Sequence, residues 1–337
     1  MALPSLPPLS VERFRRDFAA LGGNEQEGVG VAVSGGPDSL ALLLLAHAAY
    51  PDHVRAATVD HGLRSESRAE ADLVARYCTS LSIPHAILTV NVVSAGDGLQ
   101  ASARQARYGA LGGWLESEGM KALLTAHHAD DQAETLVMRL LRGSGVAGLA
   151  GVRSRMPFPA AGEDALILRP LLGWRRAALA EIVQHAGLQA VADPSNENED
   201  FDRARIRRHL AQTPWLDPEP LARSAAALAD AEEALDAAAR TLAATRIEQS
   251  GGSILLDPGD IPNALLRRVI LSCLRLIVPD AAPRGGQLTD LAEQLRRGRV
   301  ATLAGVKCSG GVCYRFEPAP PRRASLSPDA STFSHKD

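Results

Sequence analysis

The chain has 337 residues, of which 46% are apolar and 22% are charged, and its formal net charge at pH 7 is −3. This mixture is that of an ordinary globular protein and excludes wholesale disorder. The near balance of charge excludes a histone-like polycation but leaves room for a local basic patch. The length exceeds that of one typical domain and predicts two.

Strands and helices alternate through the first half of the chain. The predicted strands are 28–33, Val54–Asp60, His85–Val90 and Ala122–Ala126, and the predicted helices are 40–49, Ser65–Leu81, Ala101–Glu118 and Asp130–Arg142. This alternation favours an α/β fold with a doubly wound parallel sheet, which binds ligands at the carboxyl ends of its strands. A loop is expected over Met156–Glu163, and another helix over Arg175–Gly187.

The second half of the chain has a different character. Prolines at 214, 218 and 220 predict a linker, and leucines at 221, 228, 235 and 242 predict one long helix packed on its own domain, although a coiled-coil partner would fit the same spacing. Amphipathic helices are expected over Ile261–Ile277 and Gly286–Arg297. The expected layout is an N-terminal segment 1–26, an α/β domain 27–213, a smaller, mainly helical domain 214–316 and a disordered tail 317–337.

Cysteine usage and hydropathy bear on the cellular compartment. The four cysteines form no C-x-x-C pair, which excludes a zinc ribbon and is typical of a reducing cytosol. The N-terminus lacks the pattern of a signal peptide, and the most apolar run, Leu40–Ala46, is too short to span a membrane. We therefore expect a cytoplasmic protein without a membrane partner.

The strongest local signal is the hexapeptide SGGPDS, between the first predicted strand and helix. Its residues are Ser34, Gly35, Gly36, Pro37, Asp38 and Ser39. Small residues allow successive backbone N–H groups to face an anion, and the helix N-terminus adds a positive dipole end. Asp38 is an acid where a phosphate would repel it, so it predicts a divalent cation that bridges phosphates. The alternative is an ordinary serine-capped helix after a tight turn.

This loop resembles the signature of the PP-loop ATP pyrophosphatases, which cleave ATP between its α and β phosphates. It lacks the lysine of a Walker loop. Taken alone, the loop leaves several members of the group open: amidotransferase-type synthetases, tRNA thiolases and tRNA(Ile)-lysidine synthetase.

Two further polar stretches follow predicted strands. Asp60 and His61 lie in VDHGLR at the end of the second strand, and TAHHADDQAET (125–135) follows a later strand and opens a helix. One interpretation is purely structural: Asp130 and Asp131 would interact favourably with the helix dipole in a first helical turn, and the two histidines would be ordinary loop residues. Their position at the same sheet edge as the phosphate loop favours metal or substrate contact instead.

In combination, these motifs resemble the tRNA(Ile)-lysidine synthetase family, in its short type, over about residues 28–210. The further matching stretches are Arg104, Arg107 and Tyr108, Arg142–Gly145, Arg169–Leu172, Asp193–Asn196 and Arg203–Arg207. The family usually has Asn where Ala204 stands here. The implied fold is adenine nucleotide α-hydrolase-like.

The resemblance implies an ATP-dependent ligase. Free lysine would be joined to position 2 of the wobble cytidine of tRNA(Ile) with a CAU anticodon, through an adenylated base, with release of AMP and pyrophosphate, and the codon read would change from AUG to AUA. The implied cofactors are ATP and Mg²⁺. The chain could also form a homodimer. Two other functions fit the sequence: another PP-loop tRNA-modifying enzyme such as a thiolase, and a non-catalytic nucleotide-binding module.

The resemblance also implies site residues. ATP would be bound by Ser34, Gly35, Gly36, Pro37, Asp38, Ser39, Asp60 and His61, and Mg²⁺ by Asp38 and Asp131. The catalytic residues would be Asp38, His127, Asp130, Asp131 and Glu134, with His127 or His128 in contact with base or phosphate and one of the last three acids deprotonating lysine. Contacts with tRNA would come from Arg104, Arg107, Arg142, Arg203, Arg205, Arg207 and Arg208, and from the second domain. A solvated helix face is the alternative for the last four arginines.

Overall fold

A computed structural model describes residues 5–60, 66–90, 99–191, 202–213 and 215–320. His61, the motif Asp193–Asn196 and the tail from 321 lie outside the described residues. The chain divides into two compact units, Met1–Asp230 and Ala231–Asp337. No helix among the described residues is both long enough and apolar enough to cross a membrane.

The first unit contains eight described helices and six strands. The helices are α1 (Pro8–Ala20), α2 (Pro37–Ala49), α3 (Glu66–Ser80), α4 (Leu99–Ser117), α5 (Ala129–Leu141), α6 (Val146–Leu149), α7 (Arg176–His185) and α8 (Asp202–Ala211). The strands are β1 (Val29–Ala32), β2 (Val54–Asp60), β3 (His85–Thr89), β4 (Ala122–Leu124), β5 (Arg155–Pro157) and β6 (Leu166–Leu168).

These strands form one sheet in the order β3-β2-β1-β4-β6-β5, in which every pair is parallel except β5 with β6. The doubly wound parallel sheet is therefore confirmed. The strand order reverses between β1 and β4, and a crevice at the carboxyl ends of such a pair is where folds of this type bind ligands. The phosphate loop follows β1, and the HHADD stretch follows β4, so the two motifs flank this crevice.

Helix α2 lies in the centre of the unit. Its leucines at 40, 42, 43 and 45 are fully buried because the helix packs against the sheet on one side and against α1 and α7 on the others. The sequence did not predict α1, which lies in the segment 1–26. Its Phe14 and Phe18 are fully buried in the same core, so this segment contributes to the packing of the first unit.

The predicted loop over Met156–Glu163 is wrong in part. Arg155–Pro157 forms β5, an antiparallel edge strand on β6, and a 3-10 turn follows at Pro159–Ala161. An edge position tolerates Pro157 because its missing N–H is not needed by a second neighbour.

Helix α9 (Pro218–Arg246) confirms the long helix that the leucine spacing predicts, and it begins in the first unit and ends in the second. The second unit also contains α10 (Asn263–Ile277), α11 (Gly285–Arg296), β7 (Ile247–Ser250), β8 (Ser253–Leu256), β9 (Val300–Leu303), β10 (Val306–Ser309) and β11 (Tyr314–Pro318).

Beside its helices, the second unit therefore has an antiparallel sheet in the order β7-β8-β11-β10-β9, which the sequence did not predict. The predicted start of a disordered tail at 317 is wrong. Glu317 and Pro318 belong to β11, where Glu317 lies opposite Lys307 of β10.

Candidate active site

The phosphate loop is closed by its two serines. The Ser34 N–H donates a hydrogen bond to Ser39 Oγ at 3.1 Å, and the two hydroxyl oxygens are 3.2 Å apart. The Ser39 hydroxyl in turn donates to the Gly36 carbonyl at 3.0 Å. Helix α2 starts immediately at Pro37, a residue whose fixed φ suits the first helical position. The loop thus holds the N-terminus of α2 at the mouth of the crevice.

Gly35 is required here by both its conformation and its surroundings. Its φ is +86°, a region that L side chains rarely adopt, and an added Cβ would lie 3.0 Å from Val191 Cγ2. The Gly35 carbonyl accepts a hydrogen bond from the Val191 N–H at 2.9 Å. The residues after α7 therefore brace the loop from behind, a contact that no motif in the sequence indicates.

His128 joins the acids at the start of α5. The Nδ1 atom of its ring accepts a hydrogen bond from the backbone N–H of Asp131 at 3.3 Å, and the backbone N–H of His128 donates to Asp131 Oδ2 at 3.0 Å. The two hydrogen bonds form a reciprocal helix cap. The Nε2 of His128 lies 3.4 Å from Asp38 Oδ2 and 3.6 Å from Asp131 Oδ2. Burial alone would lower the pKa of His128, but Asp38, Asp131 and Asp130 outweigh it and raise that pKa. His128 is buried behind these acids and organises them.

The acids around His128 fit a divalent cation. Oδ1 of Asp38 is buried and has no hydrogen-bond partner among the described residues, although an ionised carboxylate oxygen requires one. Asp38 and Asp131 both approach the same ring nitrogen, so their carboxylates are neighbours. Within the described ranges, no group of three or more His, Cys, Asp or Glu is arranged for a metal. Mg²⁺ needs only one or two carboxylates when phosphates and water complete its shell.

Whereas His128 is surrounded by carboxylates, His127 is surrounded by positive charges. Its Nδ1 accepts a hydrogen bond from Arg169 Nε at 3.2 Å, so its proton is on Nε2. Burial and then the charges of four arginines, Arg169 foremost, lower the pKa of His127 to about 3. At neutral pH the ring is therefore uncharged, and it lines the cavity as a hydrogen-bond donor rather than as a strong base.

Arg169 is the site residue that the sequence did not assign. It follows β6 at the ligand-binding edge of the sheet and is 3% exposed. A second nitrogen donates to the Arg153 carbonyl at 2.7 Å, which fixes the guanidinium against His127. The sequence does contain a signal for Arg169, because it opens the RPLL stretch directly after a short apolar run and so stands at the end of a strand.

Asp130 connects two helices. Its Oδ2 accepts the backbone N–H of Arg176 at 2.8 Å and lies 3.5 Å from Arg175 Nε. Because Arg176 is the first residue of α7, the carboxylate satisfies an N–H that the helix itself leaves without an acceptor. Asp130 thereby holds the start of α7 against the start of α5.

Glu134 is bound by two arginines of α8. Arg203 Nε donates to Glu134 Oε2 and Arg207 Nε to Oε1, each at 2.7 Å, and Arg203 also reaches Asp131 Oδ1 at 2.7 Å. Burial would raise the pKa of Glu134, but the two guanidinium groups outweigh it and lower that pKa. Arg203 and Arg207 thus belong to the acid cluster, whereas Arg205 and Arg208 are exposed.

A cavity of about 530 Å³ opens beside these groups. Its polar wall includes the phosphate loop, His127 and Arg107, and its apolar wall includes Val59 and Leu111. This volume is typical of a site for a small organic ligand. The guanidinium carbons of Arg104 and Arg107, on α4, lie 4.9 and 5.3 Å from the centroid of the Tyr108 ring. Asp60 is buried at the end of β2.

Arg142 and Arg205 lie together elsewhere. They line a second cavity of about 380 Å³, formed by α5 and α8. Most of the phosphate loop lines the larger cavity, whereas Asp60 is not among its described lining residues. The predicted tRNA residues separate: Arg104 and Arg107 lie on α4, Arg203 and Arg207 in the acid cluster, Arg142 and Arg205 at the second cavity, and Arg208 is exposed on α8.

Comparison with known proteins supports a single family. A model of the PP-loop domain matches residues 10–213. The tRNA(Ile)-lysidine synthase of Zymomonas mobilis is 44% identical over 299 residues, which cover 88% of this chain and 90% of that protein. The tRNA(Ile)-lysidine synthase of Novosphingobium aromaticivorans is 46% identical over 321 residues, with 95% of this chain and 97% of that protein covered.

Among solved structures, the U34-tRNA thiolase NcsA from Methanococcus maripaludis, with its 4Fe–4S cluster, has a similar fold. The TM-score is 0.53 at 16% identity, over 66% of this chain and 80% of that one. At this identity the likeness shows the fold alone, whereas the relatives above 40% identity match over most of their length. The chain belongs to the tRNA(Ile)-lysidine synthase family of PP-loop proteins.

Proposed function

We propose that the chain joins free lysine to position 2 of the wobble cytidine of tRNA(Ile) with a CAU anticodon, at the expense of ATP, so that the tRNA reads AUA in place of AUG. The observation that carries the proposal is the convergence of the phosphate loop with the carboxylates of Asp38 and Asp131 beside a cavity of about 530 Å³. The names of the matched relatives support the substrate. Reaction in the cytoplasm follows from the proposed substrates.

In the first step, the phosphate loop holds ATP. Backbone N–H groups of the loop and the N-terminus of α2 bind the β and γ phosphates, and the adenine lies against the apolar wall with Val59 and Leu111. The cytosine O2 attacks the α phosphorus, the bond to the β-phosphate oxygen breaks, and pyrophosphate leaves. Where Mg²⁺ is bound, Asp38 and Asp131 would hold it, and it would supply positive charge that stabilises the departing pyrophosphate.

His127 acts in this step as a neutral donor. Because Arg169 occupies its Nδ1, the remaining Nε2–H is free to hydrogen-bond a phosphate or base oxygen. A neutral donor does not have to lose a proton during the attack, and it stabilises charge on oxygen wherever that charge develops. His127 is thus assigned to orientation and charge stabilisation.

In the second step, the ε-amine of lysine attacks C2 of the adenylated base, and AMP departs with the oxygen. The attacking amine must be neutral, so a carboxylate has to take a proton from the lysine ammonium. Both oxygens of Glu134 are held by guanidinium groups, which assigns Glu134 to positioning Arg203 and Arg207. Both oxygens of Asp131 are likewise occupied, Oδ1 by Arg203 and Oδ2 by the backbone N–H of His128. Asp130, which is engaged through Oδ2, is therefore assigned as the acid that binds the amine and takes its proton.

The proposal is tested by incubating the full chain with ATP, radiolabelled lysine and tRNA(Ile) carrying a CAU anticodon. A methionine tRNA, which has the same anticodon, and a reaction without ATP are the controls. We expect label in the isoleucine tRNA only, and only with ATP. Absence of label from both tRNAs would refute the proposed function.

Two alternatives are less favoured. A tRNA thiolase needs reactive cysteines at the site, but Cys78 is buried with its pKa raised by burial to about 12, and the other three cysteines belong to the second unit. A non-catalytic nucleotide-binding module would bind ATP without turnover, and the same assay, with pyrophosphate release as a second readout, distinguishes it.

A further inference from the structure

The cavity of about 380 Å³ lies in the first unit, outside the nucleotide site. Its walls are the apolar side chains of Met138, Leu141 and Ile206 and the polar side chains of Arg142, Arg205 and His209. No carboxylate is among the lining residues within the described part of the chain. The cavity therefore combines an aliphatic floor with a cationic rim.

Helices α5 and α8 build this cavity next to the acid cluster. On α5, Glu134 is followed on the same face by Met138, four residues on, and by Leu141, seven residues on. On α8, Arg203 and Arg207 bind the acids, while Arg205 and Ile206 line the cavity. At 1.5 Å per residue, the floor begins about 6 Å along α5 from Glu134.

The end of α5 is shaped for contact with another molecule. Leu140 and Leu141 are 61% and 76% exposed, although leucine is usually buried. The following turn is well fixed, because Arg139 donates to the Gly148 carbonyl at 2.7 Å and the Ser144 N–H donates to the Arg139 carbonyl at 3.0 Å. A rigid turn that keeps large apolar side chains in solvent is typical of a binding surface.

We propose that this cavity receives the unstacked base of an anticodon-loop nucleotide close to the wobble cytidine, with its phosphate on Arg142 and Arg205. The flat face of a base packs on aliphatic or guanidinium groups, and the bases of a loop are splayed and accessible. The rim charge is complementary to phosphate, and guanidinium groups bind phosphate oxygens in pairs. The inference rests on the proposed function, because it needs the tRNA loop to be held at the acid cluster.

The test combines two protein variants with altered tRNA. Ile206→Trp fills the cavity, and Arg205→Gln removes one rim charge. The control is Arg223→Gln on α9, whose side chain is 67% exposed and pairs with Glu219 four residues away. The tRNAs are the CAU transcript and versions with an abasic nucleotide at each single loop position. The readouts are the Kd for tRNA, the Kd for ATP and the KM for tRNA in lysine transfer.

One abasic position other than the wobble nucleotide should weaken binding to the wild-type chain by about five- to 100-fold, the range measured when a stacking contact is removed. Ile206→Trp should weaken binding of intact tRNA by a similar factor. This variant should bind the tRNA with that abasic position as tightly as it binds intact tRNA, and its Kd for ATP should be unchanged. Arg205→Gln should lower the slope of log K against log salt by about one, and Arg223→Gln should not.

The proposal is overturned if Ile206→Trp keeps the wild-type Kd and KM for tRNA. It is also overturned if, at every abasic position, the losses of tRNA affinity caused by Ile206→Trp and by the abasic nucleotide simply add. If Ile206→Trp loses ATP binding and so fails to fold, the abasic series on the wild type and the salt slope of Arg205→Gln decide. Lysine transfer to intact tRNA by the wild-type chain tests the proposed function separately, so the two failures are distinguishable.

Discussion

Replacing Glu134 by Gln removes the charge that holds α8 on α5 while it keeps the side-chain shape. Glu134 is 2% exposed and makes contacts of 2.7 Å with Arg203 and of 2.7 and 3.3 Å with Arg207. Loss of one partner from a buried ion pair costs about 3–5 kcal/mol, and the lower end applies because Arg203 is 42% exposed and regains solvation. We expect the free energy of unfolding of the first unit to fall by about 3 kcal/mol, and its Tm by about 6–12 °C.

The pH dependence of this loss has a defined sign. The folded-state pKa of Glu134 is lowered, so its stabilising contribution is fully present above the unfolded-state pKa of about 4.3 and is lost as the pH falls toward the folded value. The difference in stability between the wild type and Glu134→Gln should therefore be constant from pH 8 to pH 6 and shrink below about pH 4.

Urea unfolding monitored by circular dichroism, repeated across this pH range, measures the loss in free energy of unfolding and its dependence on pH. The matched control is Glu118→Gln, which breaks the exposed pair between Glu118 and Arg55, at 2.8 Å, and should cost less than about 1 kcal/mol. If Glu134→Gln were no less stable than Glu118→Gln, or if its deficit grew on acidification, the assignment of Glu134 as a charged clamp would be wrong.

Three further predictions concern the nucleotide site. Gly35→Ala places a Cβ at a φ of +86° and 3.0 Å from Val191 Cγ2, so the Kd for ATP measured by calorimetry should rise more than tenfold, and an unchanged Kd would contradict the role of the loop. Arg169→Gln removes the largest charge that depresses the His127 pKa, so that pKa, followed by NMR titration, should rise from about 3, whereas a fixed value would assign the shift to burial alone. Asp38→Asn should abolish the Mg²⁺ dependence of ATP binding, and a wild-type response to Mg²⁺ would remove Asp38 from the proposed metal site.

The fold of the first unit was largely predictable because its strands and helices are encoded locally. The apolar run of α2 and the polar residues that follow β1, β2 and β4 are each visible in a short window, and the α/β alternation assigns them to one sheet edge. Helix α1 was missed because Phe14 and Phe18 stand among charged residues, so its apolar face is narrow. The strands β7–β11 have only four or five residues each, and their pairing depends on partners that are distant in the sequence.

The composition of the site was predictable, but its internal pairing was not. The motifs identified Asp38, Asp131 and Glu134, yet nothing local indicates that Arg203 and Arg207 bind acids 69 to 73 residues away. The spacing of four does place these two arginines on one face of α8, apart from Arg205, but it does not indicate their partners. The tautomer of His127 depends on Arg169, 42 residues further along, and only the tertiary structure brings them together.

The proposed reaction adds lysine to the wobble cytidine. Mass spectrometry of the nucleosides released from the treated tRNA(Ile) tests it most directly. We expect the cytidine at the wobble position to gain the mass of one lysine less one water, with one AMP and one pyrophosphate released for each nucleoside changed. An unmodified wobble cytidine, or one that gains a sulfur atom instead, would contradict it.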